Sequence, residues 1–237
     1  MARKLSKEEY IKMKREERSA LYEKSNDAIN LVMSDPYHFI KFLALMATIN
    51  YSATNSLLVY AQNPKVTEIK DMDTWSEKNI RIKKGEKGIP ILSPGGEYKK
   101  KDGTNGIGYV IKYVFDVSQT DCKNIREFNV DKDALFHVLD TDEDSIHSSF
   151  KEKASYFFDE LNMESKNKDF VTSCVSYMLS TRYHMKNYNT NTFIPLIDPY
   201  FKSKNNVEIK NELSSIYLIY KTCKDQINKN IFAYRKG

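Results

Sequence analysis

The chain has 237 residues, of which 41% are hydrophobic and 29% charged, enough apolar material for one large core or two small ones and too much for disorder over the whole length. With 8 glycines and 6 prolines, collagen-like and low-complexity classes are excluded, and a mean hydropathy of -0.60 without a long apolar run argues against membrane-spanning helices. The formal charge of +5 is a mild excess that by itself says little about polyanion binding.

The first two dozen residues alternate Lys and Arg with Glu and lack the apolar centre of a secretion signal. Good helix formers over residues 6–33, with Ser6 as N-cap, predict a first helix. Pro36, following Asp35, opens a second, and Ser52 caps a third that stops before Pro64. The best apolar stretch, residues 39–49, contains Lys41 and is too short to cross a bilayer. Residues 71–78 are long enough for a short helix.

Seven of the eight glycines then fall between Gly85 and Gly108, where Ile, Val and Tyr alternate with polar residues in strand fashion. Residues 81–83, 89–92 and 109–115 are candidate strands, with Gly95-Gly96 and Lys101-Asp102-Gly103 as turns. Charge changes sign abruptly here. Residues 78–101 hold eight basic side chains, including Lys78 and Lys101, against Glu86 and Glu97 alone; residues 121–145 set Lys123, Arg126 and Lys132 against eight acids. Such a reversal marks a functional surface followed by a linker or a separate domain.

Beyond the acidic stretch the apolar period becomes helical: Phe150, Ala154, Phe157 and Leu161, then Phe170, Cys174, Val175, Met178 and Leu179, and finally Val207, Leu213, Ile216, Tyr220, Cys223 and Ile227. These positions read as core. Tyr200, Tyr217 and Tyr220 are candidates for a partner surface in this half. Cys122, Cys174 and Cys223 are far apart without C-x-x-C spacing, which speaks against a disulfide framework and a structural zinc and for a reducing cytoplasm.

Catalytic chemistry finds little support. His38, His137, His147 and His184 are scattered and form no H-E-x-x-H pair. Lys84-Gly85-Glu86-Lys87-Gly88 lacks the spacing of a phosphate loop and sits between strands. Asp140, Asp142, Glu143 and Asp144 read as a solvated run. What remains is a basic β unit interleaved with aromatic residues, Trp75, Tyr98, Tyr109, Tyr113 and Phe115, besides Tyr51 and Tyr60 on the preceding helix. Lysines neutralise phosphates while exposed rings stack unpaired bases. Half of those rings must face a core, since side chains alternate across a strand. Trp75 has two readings, a stacking platform or a core anchor, and large rings are mostly buried. Lys83, Lys84 and Lys87 either meet phosphates or merely decorate a hairpin in which Glu86 pairs with a neighbouring lysine.

Read in order, Tyr51-Ser52-Ala53-Thr54-Asn55-Ser56-Leu57-Leu58, Gln62-Asn63-Pro64, Trp75, Arg81-Ile82-Lys83-Lys84-Gly85-Glu86-Lys87-Gly88-Ile89 and Val114-Phe115-Asp116-Val117-Ser118-Gln119-Thr120 resemble the N-terminal domain of ArdC-type antirestriction proteins. The resemblance spans residues 28–120 and implies single-stranded DNA binding in a protein of plasmids, conjugative elements or phages. In that family the C-terminal half is similar to zinc metallopeptidases. Here residues 168–228 resemble its helical tail, but residues 136–167 offer only Phe136-His137-Val138-Leu139-Asp140 and Phe158-Asp159-Glu160-Leu161, and neither supplies two ligands. Peptidase activity is therefore not carried over, and no metal or other cofactor is expected.

The expected fold is α+β, with a helical N-terminus packed on a small antiparallel sheet and a mainly helical C-terminal region. Its divisions are an N-terminal helical extension (residues 1–27), a single-stranded DNA-binding domain (28–120), an acidic linker (121–149) and a helical, metallopeptidase-like part (150–237). The expected nucleic-acid contacts are Tyr51, Asn55, Trp75, Arg81, Lys83, Lys84, Lys87, Lys99, Lys100, Tyr109 and Tyr113. The expected function is non-enzymatic: binding of single-stranded DNA to counter a host restriction or CRISPR nuclease, by coating DNA or by contacting the nuclease, with no membrane partner. The alternatives are a replication or conjugation accessory module and, ranked last, a metal-dependent hydrolase with rearranged ligands.

Overall fold

A computed structural model describes residues 6–100, 102–122, 129–163 and 167–236; Lys101, Lys123 and Arg126 lie outside them. Local signals set the first helices. Ser6 accepts from the Glu9 amide while Glu9 reaches back to the Ser6 amide, a reciprocal cap that starts α1 (Lys7–Val32). Asp35 accepts from the amides of Tyr37 and His38 ahead of α2 (Pro36–Ile49), and α2 ends on Asn50 in the left-handed region, φ 57°. Ser52 caps α3 (Ala53–Gln62).

Strand β1 (Ile69–Asp71) leads into α4 (Met72–Glu77), with Asp71 as cap. The hairpin β2 (Ile89–Lys99) and β3 (Asn105–Asp116) completes an antiparallel three-stranded sheet of order β1-β3-β2. A 3₁₀ turn, Val117–Gln119, follows. The remaining helices are α5 (Lys132–Leu139), α6 (Ile146–Glu160), α7 (Lys168–Arg182), α8 (Ile194–Phe201) and α9 (Asn206–Tyr234). The class is α+β, as expected.

One cluster of buried side chains runs from Ala28 on α1 through Phe39, Phe42 and Met46 on α2, Leu57 on α3, Phe150, Phe170 and Cys174, to Leu213 and Ile227 on α9. Only Ile69, Ile89, Ile91 and Val114 of the sheet join it. On the other sheet face Leu92 and Ile111 pack with Leu21 of α1 and Leu58 of α3. No single helix among the described residues is long and apolar enough to cross a membrane; α2 and α3 are apolar because they line this core, with a 113° bend between them.

Several local expectations change. Residues 81–83 form only an isolated bridge, Ile82 to Thr120. Gly95-Gly96 is no turn: it lies inside β2 at a register shift, where a Cβ on Gly95 would stand 2.5 Å from Val110 Cγ1. The reversal lies beyond Lys99, where Gly103 adopts φ 82° and Asp102 accepts from the Thr104 amide and hydroxyl. Within residues 121–149, α5 buries Ala134 and Leu135. Val207 is exposed near the start of α9, whereas Tyr220 is buried, Tyr200 nearly so and Tyr217 half-buried, so these tyrosines offer little partner surface.

The contact that fixes the hairpin to the helices is made by Asn55. Its Nδ2 donates to the Leu92 carbonyl at 2.8 Å and its Oδ1 accepts from the Leu92 amide at 2.9 Å. The expected result of Asn55→Ala is a loss of about 2–6 kcal/mol in unfolding free energy, because it orphans a buried donor and a buried acceptor at about 1–3 kcal/mol each. Urea titration measures it; a loss below about 1 kcal/mol would mean that water replaces the amide.

Candidate nucleic-acid interface

The eleven side chains expected to contact nucleic acid separate into two groups. Asn55 is 8% exposed, and both ends of its amide are occupied by Leu92, so it is a structural clamp rather than a ligand contact. Trp75 is 1% exposed, its Nε1 donates to the Phe115 carbonyl at 2.9 Å, and the Lys70 ammonium lies 4.8 Å from its ring centroid. No ring face is left for a base, so the core-anchor reading of Trp75 holds. Tyr51, just ahead of the Ser52 cap of α3, packs partly against the core; burial raises its hydroxyl pKa, with the Asp71 carboxylate adding to the shift.

Arg81, Lys83, Lys84, Lys87, Lys99, Lys100, Tyr109 and Tyr113 are exposed. They occupy two places. At the base of the hairpin the loop from Arg81 to Gly88 is pinned by its backbone: Lys83 donates to the Gln119 carbonyl and Asp121 to the Arg81 carbonyl. Gln119 Nε2 donates to Glu86 Oε2 at 2.9 Å and to the Lys87 carbonyl at 3.0 Å. Glu86 is thus held by Gln119, not by a neighbouring lysine. Lys83 Nζ donates to the Ser118 carbonyl at 2.8 Å. Lys84 and Lys87 meet no carboxylate among the described residues. Gly85 takes φ 91°, which only glycine adopts freely. Gly88 instead serves close packing: a Cβ there would lie 2.9 Å from the Phe115 ring and from Tyr113 Cβ.

The second place is the hairpin itself, about 33 Å from the start of β2 to its end at 3.3 Å per residue. Tyr113 stands opposite Pro90 and Tyr109 opposite Pro94 on one face, about 13 Å apart along the strand. Tyr98 lies on the other face, its ring across Gly106, where a Cβ would be 2.8 Å from Cζ. Tyr98, Tyr109 and Tyr113 are 54%, 42% and 56% exposed. Sequence reasoning listed Tyr98 among the aromatic residues but left it out of the contacts, although its neighbours Lys99 and Lys100 marked it.

Charge is distributed unequally. Lys70 and Lys78 meet Glu68, and Lys112 lies 3.8 Å from Asp71. Lys99 and Lys100, beside the turn, meet no carboxylate among the described residues. Among the described residues four ammonium groups without a carboxylate partner, those of Lys84, Lys87, Lys99 and Lys100, therefore flank three exposed rings, an arrangement suited to phosphates with stacked bases between them.

In the C-terminal half no three His, Cys, Asp or Glu side chains among the described residues come within ligating reach of one another. His147 is occupied on both ring nitrogens, by Ser180 Oγ at 2.8 Å and the Lys186 carbonyl at 3.0 Å. Burial pushes the Cys223 thiol up to about 12 and the Cys174 thiol well above its usual value, so neither is a ready thiolate. The described residues do not fit the zinc site of the resembled family.

No family model and no curated protein matches the chain. Among solved structures it is similar to the antirestriction protein ArdC from the R388 plasmid. The metal-free crystal structure of that protein aligns at 11% identity and a TM-score of 0.47, over 76% of this chain and 86% of that one. Its Mn(II)-bound structure aligns at 11% identity and a TM-score of 0.49, over 76% and 85%.

The burial of Trp75, the only tryptophan, has a direct optical consequence. Intrinsic emission should be that of a shielded indole and should stay within error on saturation with a single-stranded oligonucleotide. Red-shifted emission quenched by the oligonucleotide would return Trp75 to the interface.

Proposed function

We propose that this chain binds single-stranded nucleic acid through the β2–β3 arm and the loop at its base, as a non-enzymatic antirestriction protein of a plasmid or phage that opposes a host restriction or CRISPR nuclease. The observation that carries the binding reading is the partition of the aromatic residues. Trp75 is spent on the core, whereas Tyr98, Tyr109 and Tyr113 stand in solvent on a strand pair flanked by Lys84, Lys87, Lys99 and Lys100. The inward positions of the sheet are filled by Ile69, Ile89, Ile91, Leu92 and Val114, and these three rings stand outside them. The antirestriction reading is supported by the ordered motifs between Tyr51 and Thr120. The non-enzymatic reading is supported by the locked His147 and the raised thiols.

Backbone charge and ring stacking both ignore base identity, so affinity should vary little with sequence and fall steeply with salt. With four phosphate contacts at about 0.7 each, the slope of log K against log salt should be about -3 for a single strand. Lys84→Ala with Lys87→Ala should flatten it by about 1.4, and Tyr109→Ala with Tyr113→Ala should weaken binding while leaving the slope unchanged. Fluorescence anisotropy of a labelled oligothymidylate measures all three. Salt-independent binding, or preference for duplex, would remove the reading. For the biological role, the same variants should lose protection of incoming plasmid DNA in a restricting host in proportion to lost binding.

A further inference from the structure

The two edges of the β2–β3 arm are guarded very differently. Leu92 sends both its N–H and its C=O to Asn55, so these groups point away from β3. Strand residues two apart share a direction, and the residues two before and two after Leu92 are Pro90 and Pro94, which have no N–H to offer. A register shift follows between Pro94 and Gly96. Prolines, a bulge and a capped backbone are the usual means of closing a sheet edge to further strands.

On β3, Tyr113, Ile111 and Tyr109 stand opposite Pro90, Leu92 and Pro94. In an antiparallel pair, where one member's backbone groups point outward, those of its opposite residue do too. The N–H and C=O of Tyr109 and Ile111 therefore point out of the far edge of β3. β1 covers that edge only from Val114 to Asp116. From Asn105 to Tyr113 no strand pairs there among the described residues, and the segment contains no proline and no charge before Lys112.

We propose that this free edge of β3 is a strand-pairing surface for a second copy of the chain, two β3 strands meeting antiparallel around residues 107–111 across a twofold axis. The sequence itself selects that occupant. Ile107-Gly108-Tyr109-Val110-Ile111 reads nearly the same from either end, so antiparallel self-pairing sets isoleucine and tyrosine against isoleucine and tyrosine. Residues 105–111 are uncharged, so two copies meet along this edge without opposed like charges. The distal arm also stands clear of the helical layer: Tyr98 and Ile107, on opposite faces, are both more than half exposed. The inference depends on the backbone of β3 and not on the nucleic-acid reading.

The test is analytical ultracentrifugation of the full chain from low to several hundred micromolar, without nucleic acid. Tyr109→Pro removes one outward N–H and copies onto β3 the guard that Pro94 provides on β2; Tyr109→Ala keeps the N–H. The expected result is a concentration-dependent doubling of mass for the unsubstituted chain and for Tyr109→Ala, and the single-chain mass for Tyr109→Pro. A single-chain mass for the unsubstituted protein at every concentration overturns the proposal, as does a Tyr109→Pro variant of unchanged circular dichroism that dimerises equally well. Because a proline can unfold the arm, amide exchange on the unsubstituted chain is the second measurement. Protection at Tyr109 and Ile111 should rise with protein concentration, and a dimer that leaves these amides unprotected overturns the proposal.

Discussion

The amide of Asn55 and the backbone of Leu92 together decide where the arm can be. A two-stranded hairpin is marginal in water and needs a packed face or a helix beneath it. Here the apolar support is confined to the proximal half, Ile89, Ile91 and Val114 on one face and Leu92 with Ile111 on the other. The Asn55 side chain supplies the directional contact, acting as the backbone of an absent neighbouring strand would. Without it, the outer edge of β2 would bring an unpaired N–H and C=O against α3, and the distal half would lose its fixed exit angle.

A second node holds the basic loop to the sheet. Asp116, 2% exposed, accepts from the amides of Thr67, Glu68 and Ser118. Gln119 then accepts from the Asp116 amide and donates to Glu86 and to the Lys87 carbonyl. One short turn after β3 thus fixes the entry to β1 and the presentation of Lys84 and Lys87. Glu86 contributes by geometry, drawn back toward Gln119 and forming no ion pair with either lysine among the described residues. The result is preorganisation: ammonium groups held outward on a pinned backbone lose less freedom on meeting a ligand than they would on a loose loop.

Helix ends were legible because each is written in a few adjacent residues. Ser6, Asp35 with Pro36, and Ser52 mark their helices to the residue. The sheet was harder. Strand β1 has three residues, Ile-Lys-Asp, too few to show a period, and Gly95-Gly96 looks like a turn because turns and bulges both use glycine. Among site residues, surface lysines were readable, since charge rarely enters a core. Asn55 was not: a polar side chain clamped to a strand 37 positions away depends on tertiary neighbours that no local pattern encodes, whereas the core reading of Trp75 followed from the general burial of large rings. Tyr200 and Tyr220 went the same way as Asn55: Tyr200 packs against Phe170 and Phe201, and the Tyr220 hydroxyl reaches the Ala47 carbonyl on α2.

The C-terminal half acts on the β2–β3 arm at a distance, through the corner between α2 and α3. On α9 the Tyr220 hydroxyl donates to the Ala47 carbonyl at 2.8 Å, and the buried Lys224 ammonium donates to Asn50 Oδ1 at 2.5 Å. Burial lowers the Lys224 pKa and Asp225, 3.3 Å away, opposes the shift. These two bonds grip the last turn of α2 and its left-handed cap, two residues before Ser52 starts α3. Since α3 carries Asn55, and Asn55 carries β2, the direction of the arm is set by a helix more than a hundred residues further along the chain. The helices of the C-terminal half therefore serve as a buttress here, and several of their polar side chains are used internally: His147 meets Ser180 Oγ and the Lys186 carbonyl, the Tyr183 hydroxyl donates to Asn228 Oδ1, and the Tyr220 hydroxyl donates to the Ala47 carbonyl. A half built this way transmits position to the arm through α2, α3 and Asn55.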